Sequence, residues 1–164
     1  MSDFYDEFVN ELETLKVLDN FEIELGVLKE DQYVTVAVLH GDGNNTEYLI
    51  PVEDVIYFAE YGTVSFLGTH LLQTLIYNIE QQLNIRIEKI INRVFNNGWT
   101  ADDIYREMHE LEIYLNTYIY GYLSGQVKEM TFLADKTRQV GLIDFPVDIS
   151  ILKKYIHCKI YKKI

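Results

Sequence analysis

Residues 69–97 read THLLQTLIYNIEQQLNIRIEKIINRVFNN, and within them Leu72, Ile76, Ile79, Leu83, Ile87, Ile90 and Val94 follow one another by three or four residues. That spacing lines one face of an α-helix and no face of a strand. A long helix is therefore expected from Thr69, closed by Asn96, Asn97 and Gly98. Thr100 then caps a second helix, with Asp102 and Asp103 at its positive end and a stripe of Ile104, Met108, Leu111, Leu115, Tyr118 and Tyr122. Gly121 weakens its end and Gly125 closes it. So short a connection makes the two helices antiparallel or sharply angled around a common core. Burying one Leu or Ile contributes about 1.5 to 3 kcal/mol, enough for either stripe to hold its helix down.

Upstream of this pair the periodicity changes. Ser2 caps an N-terminal helix with Phe4, Phe8, Leu12 and Leu15 at helical spacing, ending near 17–20. Phe21, Ile23, Leu25 and Val27 alternate with Glu22, Glu24 and Gly26, the period-two pattern of a half-buried strand. A second strand is expected over 33–39. Gly41, Asp42, Gly43, Asn44 and Asn45 form a turn, and 47–50 pairs back as a third strand that stops at Pro51. Residues 55–60, rich in β-branched and aromatic side chains, are expected as a fourth strand, followed by a loop to Gly68. Downstream, 126–144 is expected to be irregular, 148–154 a short helical turn, and 155–161 a last strand with Ile156, Cys158 and Ile160 facing inward. The expected class is α+β: an antiparallel sheet of about four to five strands packed against two long helices, plus the N-terminal helix. Residues 1–164 are expected to form a single domain.

Composition narrows the function classes. With 48% apolar and 13% aromatic residues the chain can bury a full core. No apolar run is long enough to span a bilayer, and the acidic N-terminus is unlike a secretory signal, so no membrane partner is expected. A formal net charge of −12 opposes direct nucleic acid binding, which needs clustered Lys and Arg against phosphates. The charge is uneven. Lys16 and Lys29 are the only bases through Glu60, whereas Lys153, Lys154, Lys159, Lys162 and Lys163 crowd the C-terminus without an acid among them. A solvated acidic surface with a basic tail is one reading; complementary faces between neighbouring subunits is the other.

The residue types that carry catalysis are present without the spacing that chemistry needs. His40, His70, His109 and His157 show no ligand pair one helical turn apart, and one cysteine excludes a cysteine-rich zinc site. His109 beside Glu107 and Glu110 is read as a solvated helix face. The Gly41–Asn45 segment lacks the Lys and helix of a phosphate loop, and Ser65 is a loose approximation to a nucleophile elbow. Cys158 is read as a packed apolar residue. No catalytic residue, cofactor or metal is therefore expected. Of the 13 tyrosines, Tyr77, Tyr105, Tyr114, Tyr118, Tyr120 and Tyr122 fall on the two main helices and cannot all face one core, so some are exposed, as interface tyrosines are.

The order of elements resembles a known family. The strand Glu24-Leu25-Gly26-Val27-Leu28, the segment Val55-Ile56-Tyr57-Phe58-Ala59-Glu60-Tyr61-Gly62-Thr63, Phe66-Leu67 before the long helix, Asn97-Gly98-Trp99-Thr100 and Gly141-Leu142-Ile143-Asp144 are similar to tailed-phage morphogenesis proteins of head-tail joining, tail completion or the neck. Thr63-Val64-Ser65-Phe66-Leu67 stands where that family has Pro-Ala-Arg-Pro-Phe, and Phe145-Pro146 where it has Thr-Gly. The resemblance implies a non-catalytic virion protein, assembled in the host cytoplasm as a neck or upper-tail ring. Its partners would be copies of itself and neighbouring virion neck or tail proteins. The expected contact residues are Asp42, Asn44 and Asn45 at the hairpin tip, Thr63, Ser65, Phe66 and Leu67 in the loop, and Lys159, Lys162 and Lys163 at the basic end. The alternative is a small acidic phage or mobile-element effector that inhibits a host protein by charge mimicry.

Overall fold

The computed structural model describes residues 2–27, 29, 32–39, 43–62, 68–125, 129–134 and 143–163, with backbone alone at 2–3, 36–39, 45, 129–134 and 143–148. In chain order the elements are α1 (Ser2–Leu15), a 3-10 helix (Lys16–Asn20), β1 (Phe21–Val27), β2 (Tyr33–Leu39), β3 (Asn45–Pro51) and α2 (Val52–Tyr61). There follow α3 (Leu71–Asn97), α4 (Ala101–Ser124), β4 (Glu129–Ala134), β5 (Ile143–Asp148), a second 3-10 helix (Ile149–Lys154) and β6 (Ile156–Lys162). The class is α+β, as the periodicities require. The sheet is not the expected one: strands pair two by two, β1 with β6, β2 with β3 and β4 with β5, and no sheet of four or five strands forms among the described residues.

Two segments depart from expectation for identifiable reasons. Residues 55–60 are helical, inside α2. Val52, Val55 and Ala59 recur at helical spacing with no exposure at all, Glu53 and Asp54 sit in the first turn, and Pro51 supplies an extended N-cap. Burial of that stripe overrides the strand preference of Val, Ile, Tyr and Phe. Residues 129–134, expected to be irregular, instead pair antiparallel with 143–148, from Glu129 opposite Asp148 to Ala134 opposite Ile143. Thr131, Phe132, Phe145 and Val147 favour strands, and Pro146 removes one donor from the ladder. The β2–β3 hairpin is as expected, with Tyr33 opposite Pro51 and Leu39 opposite Asn45.

The chain forms two compact units. The first contains residues up to Leu25, Tyr77–Tyr118 and Cys158 onward; the second contains Gly26–Ile76 and Ile119–His157. The first is packed around Ile79, Ile90, Val94, Ile104, Met108, Leu111, Leu115 and Cys158. α3 ends at Gly98, whose φ of +62° suits a residue without Cβ, and Trp99 N–H returns to the Arg93 carbonyl at 3.3 Å. β6 is held to α4 by side chains acting as a neighbouring strand would. Asn116 donates to the Cys158 carbonyl at 2.8 Å and accepts from Cys158 N–H at 2.9 Å, while Glu112 accepts from Ile160 N–H at 2.7 Å. The second unit is packed around Val34, Ile50, Val52, Val55, Ala59, Leu71, Leu75, Ile119, Leu123, Ile149, Leu152 and Ile156. Leu71 and Leu75 are buried where Leu72 and Ile76 were expected, and Ile119 and Leu123 where Tyr118 and Tyr122 were expected.

The start of α4 carries a testable consequence. Thr100 donates to Asp103 Oδ2 from its N–H at 2.9 Å and its hydroxyl at 3.0 Å. These bonds, backbone first, together with the Arg106 guanidinium hold the Asp103 carboxyl below its ordinary range. A carboxylate with a lowered folded pKa stabilises fully above its unfolded value, and the contribution disappears as pH falls through the folded one. Thermal melts of Asp103→Asn should therefore lose part of the wild-type acid sensitivity while differing little between variants at the lowest pH. Parallel pH profiles would remove this role from Asp103.

Candidate functional site

Two surfaces stand out, one in each unit. In the first, α1 exposes most of its apolar row. Phe4 is 76% exposed, Tyr5 68%, Phe8 43% and Leu12 42%. Phe8 alone of these stacks on an α3 ring, Phe95, at 6.0 Å between centroids. At 100° per residue, Phe4, Phe8 and Leu12 form one row with Tyr5 beside Phe8. Glu7 and Glu11 border that row on one edge, whereas Asp6 and Glu13 lie on the far side of the helix. Asp6, Glu7 and Glu11 also line an open groove of about 510 Å3 against Val94 and Trp99.

In the second unit, α2 and the first turns of α3 enclose a groove of about 740 Å3, lined by Glu53, Ile56, Tyr57, Glu60, Tyr61, His70, Leu72, Gln73 and Ile76. Its floor is fixed by the turn between the helices. Thr69 reaches the Ala59 carbonyl with both N–H and hydroxyl at 2.9 Å, and His70 N–H reaches the Glu60 carbonyl at 3.2 Å. The buried Glu60 carboxylate caps α3, accepting from Leu72 N–H at 2.6 Å and Gln73 N–H at 3.4 Å, where the helix dipole favours negative charge. Tyr57 and Tyr61, one turn apart, pack at 4.9 Å with both rings exposed at the mouth.

The residues singled out in the sequence are distributed differently. Asp42, Thr63, Ser65, Phe66 and Leu67 lie outside the described residues, as does His40. Asn44 is exposed beside the β2–β3 turn and Asn45 opens β3. Lys159 leans on Glu112 at 3.3 Å, the Lys162 ammonium lies 4.5 Å above the Tyr105 ring, and Lys163 uses its N–H on the Asn20 carbonyl at 2.6 Å. Glu107 does not stand on a solvated face with His109: it is 5% exposed and paired with Arg86 at 3.0 Å and Lys89 at 3.4 Å, whereas His109 is exposed. Cys158 is buried, and burial first, then the Glu112 charge, pushes its thiol up to about 11, so it is protonated at neutral pH. Tyr77 and Tyr120 are the exposed members of the six tyrosines on α3 and α4, while Tyr114 donates to Gln82 at 2.7 Å beneath the Arg86 guanidinium.

Comparison with protein-family models, curated proteins and solved structures finds no match to this chain. Among the described residues no group of three or more His, Cys, Asp or Glu is placed to hold a metal ion, and no helix is long and apolar enough to cross a membrane. The two apolar surfaces were not anticipated. Helical spacing alone did not say whether the α1 row is covered, and the Tyr57–Tyr61 pair was hidden by the strand reading of 55–60. A signal for the second was available: Pro51 followed by Glu53 and Asp54 marks a helix start.

Proposed function

We propose that the chain is a non-catalytic structural subunit of a tailed-phage virion, acting in head-tail joining or tail completion as part of a neck or upper-tail ring. The observation that carries this reading is the pair of separate exposed apolar faces, the α1 row in one unit and the Tyr57–Tyr61 groove in the other. Contiguous exposed apolar surface rimmed by polar residues marks binding sites for other molecules. A subunit with two unlike faces of this kind suits head-to-tail assembly, which closes into a ring when the rotation permits. The resemblance in element order supports the virion setting, with assembly in the host cytoplasm and contacts to copies of itself and to neighbouring neck or tail proteins.

Mass spectrometry of purified particles is the test. The chain is expected in mature virions at a fixed copy number. Its absence from them, together with salt-sensitive binding to a basic host protein, would favour an inhibitor acting by charge mimicry instead.

A further inference from the structure

We infer that the groove between α2 and α3 receives an arginine side chain of a neighbouring protein, its guanidinium laid on a tyrosine ring and paired with Glu53 while apolar residues beside it cover Ile56, Leu72 and Ile76. The inference rests on the reading of this groove as a binding face and adds the chemistry of what enters it. Glu53, Tyr57 and Tyr61 follow one another by one turn of α2, so they form a single row along the groove. Glu53 is exposed and, among the described residues, has no ionic partner. Tyr57 and Tyr61 are 58% and 67% exposed and tilted by 50° against each other, which leaves ring surface of both in solvent.

The same chain shows what such a row holds when it is filled. In the other compact unit Glu107 and Tyr114 share a face of α4 two turns apart, and Arg86 serves both. Its guanidinium carbon lies 4.7 Å from the centroid of the Tyr114 ring while Nη1 meets Glu107 Oε1 at 3.0 Å. Glu53 and Tyr57 present the same two groups closer together, and among the described residues no Lys or Arg lines their groove. Glu60, the second carboxylate there, already accepts from the N–H groups of Leu72 and Gln73, so Glu53 carries the free charge. Aromatic faces attract cations, and a free carboxylate beside them repels anions, phosphates included. Arginine suits the row better than lysine because its plane stacks on a ring while its fork reaches a carboxylate, and its methylene stem covers apolar surface.

Ile56 and Ile76 line the groove and provide the readout. The full chain, isotope-labelled at its isoleucine methyl groups, is titrated by NMR with a capped peptide holding one arginine between leucines. The Ile56 and Ile76 methyl signals should shift together. Replacing the peptide's arginine by glutamine should weaken binding at least about tenfold, and by lysine about threefold. Glu53→Gln and, separately, Tyr57→Leu with Tyr61→Leu should each weaken the arginine peptide about tenfold, toward the affinity of the glutamine peptide. All three side chains are exposed, so circular dichroism of these variants should match the wild type. Equal binding of the arginine and glutamine peptides would leave an apolar slot without a cation site and overturn the inference. So would binding unchanged by the Tyr57 and Tyr61 substitutions, shifts confined to isoleucines outside the groove, or spermidine binding as tightly as the peptide. Self-association of the wild type that shifts Ile56 and Ile76 and is lost in Glu53→Gln would support it, with a second copy as the source of the base. An arginine preference in a chain that purified particles lack would support the groove and sink the virion setting; no preference in a chain that particles contain would do the reverse.

Discussion

Replacing both Arg86 and Lys89 by Leu should destabilise the chain by about 3 to 5 kcal/mol, because it strands a buried carboxylate. Glu107 is 5% exposed and its Oε1 meets Arg86 Nη1 at 3.0 Å and Lys89 Nζ at 3.4 Å. Removing one base alone should cost less, since the other can still reach Glu107. Adding Glu107→Leu to the double variant should recover most of the loss, because an apolar side chain of similar volume needs no counter-charge. Urea denaturation at neutral pH measures all three. A double variant within about 1 kcal/mol of wild type would show that Glu107 reaches water in the folded state, contrary to its burial.

Gly68→Ala should cost about 3 kcal/mol, for a reason confined to the turn between α2 and α3. A Cβ at Gly68 would stand 2.5 Å from the Glu60 carbonyl oxygen, 2.5 Å from the Tyr61 carbonyl carbon and 2.7 Å from Gly62 N, all backbone atoms that cannot rotate away. Relief requires the chain to lift off α2. That breaks the Thr69 and His70 bonds to Ala59 and Glu60 and withdraws the Glu60 carboxylate from the start of α3. The groove should open with it. Gly121→Ala is the control. Gly121 is exposed within α4 with nothing within 4 Å of a built Cβ, so Ala should stabilise by about 0.5 to 1 kcal/mol through helix propensity. Equal and small effects at both positions would contradict the close approach at Gly68.

The elements that the sequence made legible are those whose period is long and unambiguous. α3, α4 and the β2–β3 hairpin fall where their spacing and turn residues place them. Which face of a helix is buried was less legible. Leu71–Leu72, Leu75–Ile76, Tyr118–Ile119 and Tyr122–Leu123 are adjacent apolar pairs, each offering two rows one residue apart, and only the packing partner selects between them. α2 was obscured because Val, Ile, Tyr and Phe favour strands locally, although burial along one stripe wins. The α1 surface was legible as an amphipathic helix but not as an exposed one. Periodicity reports that a face wants cover and is silent on whether the cover belongs to the same chain. In the basic C-terminal segment Lys159 leans on Glu112, and Lys153 and Lys162 lie over the Tyr120 and Tyr105 rings, contacts that composition does not show.

The measurement that bears most directly on a binding role for these faces is hydroxyl-radical footprinting of the chain inside purified particles, set against the free chain. Phe4, Tyr5, Tyr57 and Tyr61, exposed in the free fold, should lose most of their oxidation on incorporation, while the exposed Tyr120 serves as a reference within the same protein. If Phe4, Tyr5, Tyr57 and Tyr61 oxidise as fast in particles as in the free chain, or if no particle contains the chain, the faces are not the assembly surfaces proposed for them.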